Sequence, residues 1–413
     1  MIFSIFTLGC KTNQYESELM RESLLEKGYV ETNFKEFANV YIINSCVVTE
    51  KAERETRKAV NEALAKNPNA LVVLTGCFTN LHKEYKDKRV VLYRGARKKI
   101  SSFIETGVEE AVDFERIENF FERARAFVKI EEGCDNFCTY CIVPVVRGYK
   151  IRSKDEKNIV DEVRGLVDRG YKEVVLTGTE IGKYGKDTGT SLAKLVNKLK
   201  RIEGLSRLRI SSIHPKYVTD ELISEFIEPY VLQPHLHISL QSGDNEVLKQ
   251  MNRGYTREDY LRIVEKLRNI DPDFSISTDV IVGFPFETET AFFNTLTLIK
   301  RVQFSKVHVF RYSKRPFTPA FYFKENILES VKSTRSKRVI EFANEISIDY
   351  KKRFVNKVVP VLVEEVKDSF YWGFSPHYIK VSFPQEAKLN KIALVKIEAV
   401  FEDHIEGSLV NSK

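Results

Sequence analysis

The sequence lacks long apolar runs. No stretch of 18 apolar residues occurs among its 413 residues, so we expect no membrane span. The opening residues, MIFSIFTLGC, have no basic segment and only a short apolar run, so they do not resemble a signal peptide. We therefore expect a cytoplasmic protein, in which reduced cysteines that lie together bind metal or take part in catalysis more often than they form disulfides.

A strong charge of one sign is also missing. The chain carries 65 basic and 58 acidic residues, and this net charge of +7 only mildly favours an anionic partner. The apolar fraction of 43% is sufficient for well-packed cores, and the length suggests two to four domains.

Strand and helix patterns alternate through the first part of the chain. IFSIFTLG, VYIINSC, ALVVLTGC and RVVLY read as strands, with helices predicted at Tyr15–Lys27 and Glu50–Lys66, which is typical of a parallel α/β sheet. The first three strands end in Cys10, Cys46 and Cys77. Because the carboxyl ends of parallel strands meet at one edge, these cysteines are predicted to form a ligand set, although single buried cysteines are often only small apolar residues.

We predict three domains from the same patterns. An N-terminal parallel α/β cluster domain covers residues 1–115, and a charged linker covers 116–125. Six further strand patterns with intervening helices indicate a partial (β/α)6 barrel over 126–350. Short β-like runs over 351–413 indicate a small antiparallel β barrel, in which we place Trp372 in the core rather than on an RNA-binding surface.

The stretch GCDNFCTYC holds the other three cysteines, Cys134, Cys138 and Cys141. A structural zinc site needs a fourth ligand, and the nearest downstream histidine is the distant His214. A disulfide would leave one thiol over. A [4Fe–4S] cluster held by three thiolates keeps one iron open for a substrate or cofactor.

The spacing CxxxCxxC, with Tyr140 before the last cysteine, resembles the radical S-adenosylmethionine (radical SAM) superfamily. TLGCKTNQYESE, INSCVVTEKAERETR and VVLTGC, in this order before that motif, resemble the methylthiotransferase family over essentially the whole chain. The resemblance implies that the C-terminal barrel is a TRAM domain. It also implies that Cys10, Cys46 and Cys77 hold a second [4Fe–4S] cluster.

The resemblance implies a reaction in two halves. One S-adenosylmethionine methylates a sulfur species on the second cluster. Another, on the first cluster, gives a 5′-deoxyadenosyl radical that removes a hydrogen atom from the substrate, and the substrate radical takes the methylthio group. A low-potential electron donor and a sulfur source are then needed, and a monomer is favoured although the sequence does not define the oligomeric state.

Further residues are expected to bind S-adenosylmethionine. These lie at or near strand ends: Thr177, Gly178, Thr179, Glu180, Ser212, Gln241, Arg253, Asp279 and Gly283. Arg147 is a second basic candidate. Each has an ordinary structural alternative, such as a helix cap for Ser212 or a surface ion pair for either arginine. Phe286 and Phe317 stand where the family pattern has glycine, and we expect them to reshape the mouth of the substrate site.

Three substrates are familiar for the family: threonylcarbamoyladenosine next to the anticodon of tRNA, isopentenyladenosine at the same place, and an aspartate of a ribosomal protein. GCKTNQYESE resembles the threonylcarbamoyladenosine branch. The tRNA anticodon loop is therefore the expected partner, since bases in a single-stranded loop can be splayed out. A non-catalytic iron–sulfur RNA-binding protein or a zinc protein remains the alternative.

Overall fold

The computed structural model describes residues 1–112, 114–120, 124–227, 231–324 and 326–410. Its N-terminal part is a sheet of five parallel strands in the order β2-β1-β3-β4-β5. The strands are β1 (Ile2–Thr7), β2 (Val30–Glu31), β3 (Val40–Ser45), β4 (Leu71–Gly76) and β5 (Val90–Leu92). The helices are α1 (Lys11–Glu26), α2 (Glu50–Lys66), α3 (Cys77–Leu81) and α4 (Ile100–Thr106).

The predicted parallel α/β unit is confirmed, and α2 has the predicted bounds. Helix α1 begins four residues earlier than predicted, directly after Cys10, and its N-terminal turn is rich in polar residues that do not show a helical apolar period. Its side chains Thr12, Asn13, Glu16 and Glu22 are buried, because α1 packs between this sheet and the next one. Tyr15 and Leu19 of α1 belong to the hydrophobic core of the central part.

The central part contains six parallel strands with a curled sheet. Four strands form one sheet in the order β7-β6-β8-β9, with the antiparallel β7 at one edge. The sheet β10-β11-β12 continues beyond β9, and the isolated parallel bridge Ile213–Ile238 connects the two sheets. The strands are β6 (Arg125–Glu132), β7 (Arg152–Ser153), β8 (Glu173–Gly178), β9 (Arg207–Ile210), β10 (His235–His237), β11 (Ser275–Val282) and β12 (Lys306–Arg311). The predicted partial (β/α)6 barrel is confirmed.

Eight helices are described in this part of the chain, and those on the outer face cover the curled sheet. They are α5 (Val143–Arg147), α6 (Glu156–Asp168), α7 (Leu192–Leu199), α8 (Asp220–Ser224), α9 (Asn245–Gln250), α10 (Arg257–Ile270), α11 (Glu289–Val302) and α12 (Glu329–Lys352). In α7, Leu192, Leu195, Val196 and Leu199 are buried on one face, as their spacing predicts.

The residues predicted as a linker pack tightly where they are described. Ile117 and Phe120 lie in the central core, and Glu22 of α1 accepts hydrogen bonds from the backbone N–H groups of Glu118 and Asn119. Residues 121–123 of this stretch lie outside the described residues. The connection therefore joins the two sheets through buried contacts.

The C-terminal part is a closed five-stranded barrel in the order β13-β14-β15-β17-β16. Its strands are β13 (Val358–Lys367), β14 (Phe370–Phe374), β15 (Lys380–Phe383), β16 (Ile392–Val400) and β17 (Ile405–Leu409). The barrel is antiparallel as predicted except that β15 and β17 pair in parallel. The prediction for Trp372 is wrong: its half-buried ring lies between Lys380 and His404, because β14 alternates and turns Tyr371 to the core instead.

The barrel is attached to the amino-terminal ends of the central strands. Arg207, which opens β9, donates to the backbone oxygens of Phe374 and Pro360, and Arg209 donates to those of Ser375 and Pro376. Tyr378 accepts a hydrogen bond from Arg125, the first residue of β6. The barrel thus lies at the edge of the sheet opposite to the strand carboxyl ends.

Candidate active site

The three upstream cysteines converge at the carboxyl edge of the first sheet. Cys10 caps α1, Cys46 follows β3, and Cys77 opens α3 directly after β4. Gly9 has a φ of 100°, and a Cβ built on it would lie 3.1 Å from Cys46 Cβ and 3.3 Å from Cys46 Sγ. The chain therefore needs glycine at this position to bring the Cys10 turn against Cys46.

The thiols of this strand-end set influence one another. Burial, together with the nearby Cys77 and Cys10 thiols, raises the pKa of Cys46 to about 11. Burial also raises the pKa of Cys77, against the attraction of the Arg147 guanidinium. A cationic group bound beside Cys46 and Cys77 would stabilise their thiolates, which fits an iron–sulfur cluster.

A single metal ion does not fit the described residues equally well. Nowhere in the described ranges do three His, Cys, Asp or Glu side chains lie close enough together to hold one ion. A cluster of several irons is larger than one ion, so its thiolate ligands stand further apart. Each site presents three cysteines, the donor set used by a [4Fe–4S] cluster that keeps one iron open.

The second set lies on one loop after β6. The N–H of Cys134 donates to Gly148 O (3.0 Å) and the N–H of Cys141 donates to Cys138 O (2.9 Å). The neighbouring N–H of Thr139 donates to Met251 O (3.1 Å). Burial raises the pKa of Cys134 to about 11 and that of Cys141 to about 12, so this loop is also organised for thiolates that a cation would stabilise.

A cavity of about 250 Å³ opens above this loop at the carboxyl ends of the central strands. Nine of the predicted site residues line it: Cys134, Cys138, Tyr140, Cys141, Thr179, Glu180, Gln241, Arg253 and Asp279. Arg253 is buried and donates to Cys138 Sγ (3.2 Å) and to Ser239 O (2.7 Å). The cavity thus combines three thiols, two carboxyls and two guanidinium groups, those of Arg253 and Arg311.

The two carboxyls differ in their electrostatics. Burial raises the pKa of Glu180 to about 7, although Asn136 Nδ2 (3.2 Å) and the N–H of His214 (3.3 Å) donate to it. Burial also opposes ionisation of Asp279, but the hydrogen bond from His237 Nε2 (3.2 Å) and the charges of His237, His308 and Arg253 together outweigh burial and lower the pKa of this carboxyl. Glu180 is therefore the group in the cavity that gains most from an incoming ammonium group.

Four predicted cofactor residues are not among those that line this cavity. Thr177 is buried against Thr12 of α1, and Ser212 shares a hydrogen bond with the cavity residue Ser239 (2.9 Å). A Cβ on Gly178 would lie 2.8 Å from Glu131 Oε2, so Gly178 makes room for that carboxyl. A Cβ on Gly283 would lie 2.3 Å from Lys332 Cγ, which places α12 rather than a cavity against it.

Several cavity residues were not among the predicted site residues. They are Val48, Thr49, Asn136, Ile142, Val143, His214, Ser239, Ile281 and the segment 310–313. Ser239 and the segment 310–313 follow β10 and β12, so the same strand-end rule that selected Gln241 and Asp279 identifies them. Asn136 and His214 contact Glu180 and have no motif of their own.

The loop that follows Cys46 reaches the cavity of the second cysteine set. Val48 and Thr49 follow Cys46 by two and three residues, and both line the cavity that holds Cys134, Cys138 and Cys141. On the side away from this cavity, Arg147 donates to Glu16 Oε1 (2.5 Å) and Asn13 Oδ1 (2.5 Å) of α1. The contact fixes the strand-end set relative to the loop set.

A larger polar cavity of about 730 Å³ lies near Arg147, between the first two parts of the chain. Arginine, lysine and glutamate side chains line much of it, and none of the described residues that line it is a cysteine. The smaller cavity therefore contains the groups able to carry out chemistry.

Comparison with known proteins agrees with this arrangement. Residues 128–299 match the radical SAM superfamily, and residues 3–92 match a family described as uncharacterized protein family UPF0004. A threonylcarbamoyladenosine tRNA methylthiotransferase MtaB of Thermotoga maritima is 41% identical over 97% of this chain and 95% of its own length. The chain belongs to the radical SAM methylthiotransferase family.

Two further proteins are similar to this methylthiotransferase, one in sequence and one in fold. A tRNA-2-methylthio-N(6)-dimethylallyladenosine synthase of Clostridium novyi is 38% identical over 88% of this chain and 85% of its own length. The radical S-adenosylmethionine methyltransferase TsrM of Kitasatospora setae has a TM-score of 0.56 at 15% identity, covering 77% of this chain and 76% of its own. The latter likeness shows the shared fold alone.

The family assigns S-adenosylmethionine and a [4Fe–4S] cluster to the central part of this methylthiotransferase. Within the described residues, no helix is both long and apolar enough to cross a membrane.

Proposed function

We propose that the chain transfers a methylthio group to carbon 2 of threonylcarbamoyladenosine next to the anticodon of tRNA, giving 2-methylthio-threonylcarbamoyladenosine. The observation that carries the proposal is the shared cavity: the loop after Cys46 and the loop of Cys134, Cys138 and Cys141 form walls of one space. A group held at the first site can meet a substrate that is activated at the second without leaving this space.

In this proposal each cysteine set holds one [4Fe–4S] cluster. Cys134, Cys138 and Cys141 would hold the cluster that binds S-adenosylmethionine, and Cys10, Cys46 and Cys77 would hold the second. When bound, S-adenosylmethionine and its cluster supply the one-electron chemistry that breaks an unactivated C–H bond. In the net change a C–H bond of the base becomes a C–S bond, and a sulfur source, a second S-adenosylmethionine and a low-potential electron donor are consumed.

The chain's own residues bind and orient the cofactor. Glu180 is placed to pair with an ammonium group, because burial raises its pKa to about 7 and its hydrogen-bond donors there, Asn136 Nδ2 and the N–H of His214, are neutral. Arg253 is oriented by Ser239 O and by Tyr255 Oη (3.2 Å), which fixes its guanidinium beside Cys138. Asp279 and Gln241, from neighbouring strand ends, complete the polar wall.

The substrate assignment has two supports. The MtaB relatives are named for threonylcarbamoyladenosine. The residues after Cys10, in the motif GCKTNQYESE, resemble the threonylcarbamoyladenosine branch of the family. The structure shows that Asn13, Tyr15 and Glu16 of this motif are buried in the contact with the central part. These residues therefore mark the branch and stabilise the interface rather than read the base. A tRNA substrate implies a cytoplasmic enzyme.

The test compares cells that lack the gene with cells complemented by the wild type, by Cys10→Ala or by the control Phe37→Ala. Phe37 is exposed beside the amino end of β3, at the other edge of the sheet from Cys46. Mass spectrometry of digested tRNA should show 2-methylthio-threonylcarbamoyladenosine with the wild type and with Phe37→Ala only.

Two results would change the assignment. If the deletion leaves this nucleoside unchanged and removes the methylthio group of isopentenyladenosine, the enzyme belongs with the Clostridium novyi relative. If neither nucleoside changes, the aspartate of the ribosomal protein becomes the substrate to test. A Cys10→Ala protein that restores the mark would exclude a requirement for the second cluster.

A further inference from the structure

Three aromatic side chains are exposed near the mouth of the active-site cavity: Phe286, Phe317 and Tyr322. Their exposed fractions are 47%, 68% and 80%. We name them the aromatic rim. Phenylalanine is usually buried, so two exposed phenylalanines at one site need an explanation.

The backbone at both phenylalanines makes their presence more unusual. Phe286 has a φ of 79° and Phe317 has a φ of 66°, values at which glycine is free of strain and a bulky side chain is not. Neither side chain is buried deeply enough for burial to offset this strain in full. Strained residues that persist in a folded protein are concentrated at binding and catalytic sites.

The rim is continuous with the cavity. The ring of Phe286 packs on Phe323 (5.5 Å between centroids), and Phe323 packs on Phe284, whose ring contacts the cavity residues Tyr140 and Tyr312. Phe317 lies in the loop that begins at the cavity residue Ser313.

That loop is held by the Cys134–Cys141 loop and by helix α2. The N–H of Ala320 donates to Thr139 O (2.8 Å), in the Cys134–Cys141 loop. Ser313 Oγ accepts from the N–H of Glu50, and Arg315 donates to Glu53 Oε2 (2.6 Å), both on α2. The rim is therefore presented on a fixed support next to the reacting centre.

The charge of this segment indicates the partner. Residues 311–324, RYSKRPFTPAFYFK, include four basic and no acidic residues. Arg311 pairs with Glu329 and Arg315 pairs with Glu53, so the cations of this segment that can face a partner are the exposed Lys314 and Lys324. Exposed aromatic rings beside cations are the combination that binds single-stranded nucleic acid, because bases stack on the rings and phosphates pair with the cations. The C-terminal barrel is fixed to the opposite edge of the sheet, so contacts at the cavity mouth have to come from segments such as this one.

We propose that the aromatic rim stacks on unpaired nucleotides next to the target adenosine in the RNA loop. This inference rests on the proposed function and adds the residues that hold the loop at the cavity. Backbone strain at Phe286 and Phe317 is then the cost of presenting flat rings to the RNA.

The test uses the cluster-reconstituted full chain and an anticodon stem–loop RNA in which a base beside the target adenosine is 2-aminopurine. Stacking quenches the fluorescence of this base. We expect Phe317→Gly and Phe286→Gly each to weaken binding about tenfold and to reduce the quenching. Their melting temperatures should equal or exceed that of the wild type, because glycine accepts the positive φ without strain.

Matched variants separate stacking from other effects. Phe317→Trp keeps a stacking surface and should retain binding, whereas Phe317→Leu keeps an apolar side chain without a ring and should lose it. Phe37→Ala, exposed far from the cavity, should bind like the wild type. A duplex RNA without a loop should bind more weakly than the stem–loop.

Three results would overturn the assignment: wild-type affinity in both glycine variants, equal binding by Phe317→Leu and the wild type, or equal binding of duplex and loop. A rim that served a protein substrate would give the first of these. If the wild type itself does not bind the stem–loop, the proposed function fails; if it binds and the variants do not differ, only the role of the rim fails.

Discussion

The two cysteine sites are built in different ways. Cys134, Cys138 and Cys141 lie on one loop whose backbone hydrogen bonds fix them locally. Cys10, Cys46 and Cys77 come from three strand ends and meet only when the parallel sheet has formed. The loop set depends on short-range geometry and the strand-end set on topology.

A different arginine lies beside each of the two cysteine sites. Beside the loop set, Arg253 donates to Cys138. The strand-end set depends on Arg147, which comes from the central part of the chain and contacts α1. The central part of the chain therefore supplies an arginine to the surroundings of the cysteine site in the N-terminal part.

The largest expected effect separates the two sites by their chemistry. Cys138→Ala should abolish both formation of 5′-deoxyadenosine and methylthiolation of tRNA, because it removes a ligand of the cluster that we propose to generate the radical. Cys46→Ala should abolish methylthiolation and leave 5′-deoxyadenosine formation, as measured by mass spectrometry of both products. Loss of 5′-deoxyadenosine in Cys46→Ala as well would mean that the two sites do not act separately.

The next effect concerns the connection between the sites. Arg147→Gln removes the guanidinium from Glu16, whose carboxyl is buried and whose pKa Arg147, Lys129 and Arg97 hold well below its usual range against the opposing effect of burial. We expect the free energy of unfolding in urea to fall by about 3–5 kcal/mol.

The control is Arg169→Gln, which removes an exposed ion pair with Glu118 and should cost about 0.5 kcal/mol or less. If the two variants have the same urea midpoint, Arg147 does not hold the sites together.

A smaller effect concerns the stability that the buried carboxyl of Glu131 contributes near the loop of Cys134, Cys138 and Cys141. Burial raises the pKa of Glu131, two residues before Gly133, to about 9, although the N–H of Glu180 donates to it (2.8 Å). The folded protein keeps a proton here that the unfolded chain loses near its ordinary pKa of 4.5. This contribution to stability is thus complete below that pKa and is lost as the pH rises to about 9.

Glu131→Gln keeps the shape of the side chain without its titration. Its free energy of unfolding should exceed that of the wild type by an amount that grows by about 3–4 kcal/mol between about pH 6 and pH 9. Urea unfolding at several pH values measures this, and a difference that does not change with pH would show that the carboxyl is already ionised.

The smallest effect concerns the cysteines without their clusters. Cys10 caps α1 with an extended backbone (φ −90°, ψ 177°) but its side chain makes no capping hydrogen bond. Cys10→Ser should therefore stabilise the cluster-free chain by about 0.5–1 kcal/mol, because serine is a good N-cap. Cys77→Ser should instead lower stability by about 1–2 kcal/mol, since it buries a hydroxyl.

Melting temperatures of the two cluster-free proteins test this contrast. A lower melting temperature for Cys10→Ser would mean that the Cys10 thiol stabilises the fold even without the cluster.

The same contrast explains how much could be predicted from the sequence. The loop set was found from spacing, and the strand-end set from the rule that parallel strands end at one edge; both sheets and the barrel were also predicted. Strands β14 and β17 were missed, since they are short and follow turns. The start of α1 was missed because its polar residues face a buried interface, which no periodicity shows.

The site was predicted less completely. Thr179, Glu180, Gln241, Arg253 and Asp279 line the cavity, but Gly178 and Gly283 accommodate Glu131 and Lys332. A sequence alone shows that a glycine allows close approach without showing which neighbour approaches. His214 and Asn136 were missed for a similar reason: they act through contacts with Glu180 that only the fold creates.

The attachment of the C-terminal barrel has a consequence for substrate size. The arginines at the start of the central strands fix the barrel to one edge of the sheet, whereas the cavity opens at the other. Strand β11, of eight residues, spans about 25 Å between these edges. A ligand that touches both at once has to be at least that long, which a folded RNA is and a free nucleoside is not.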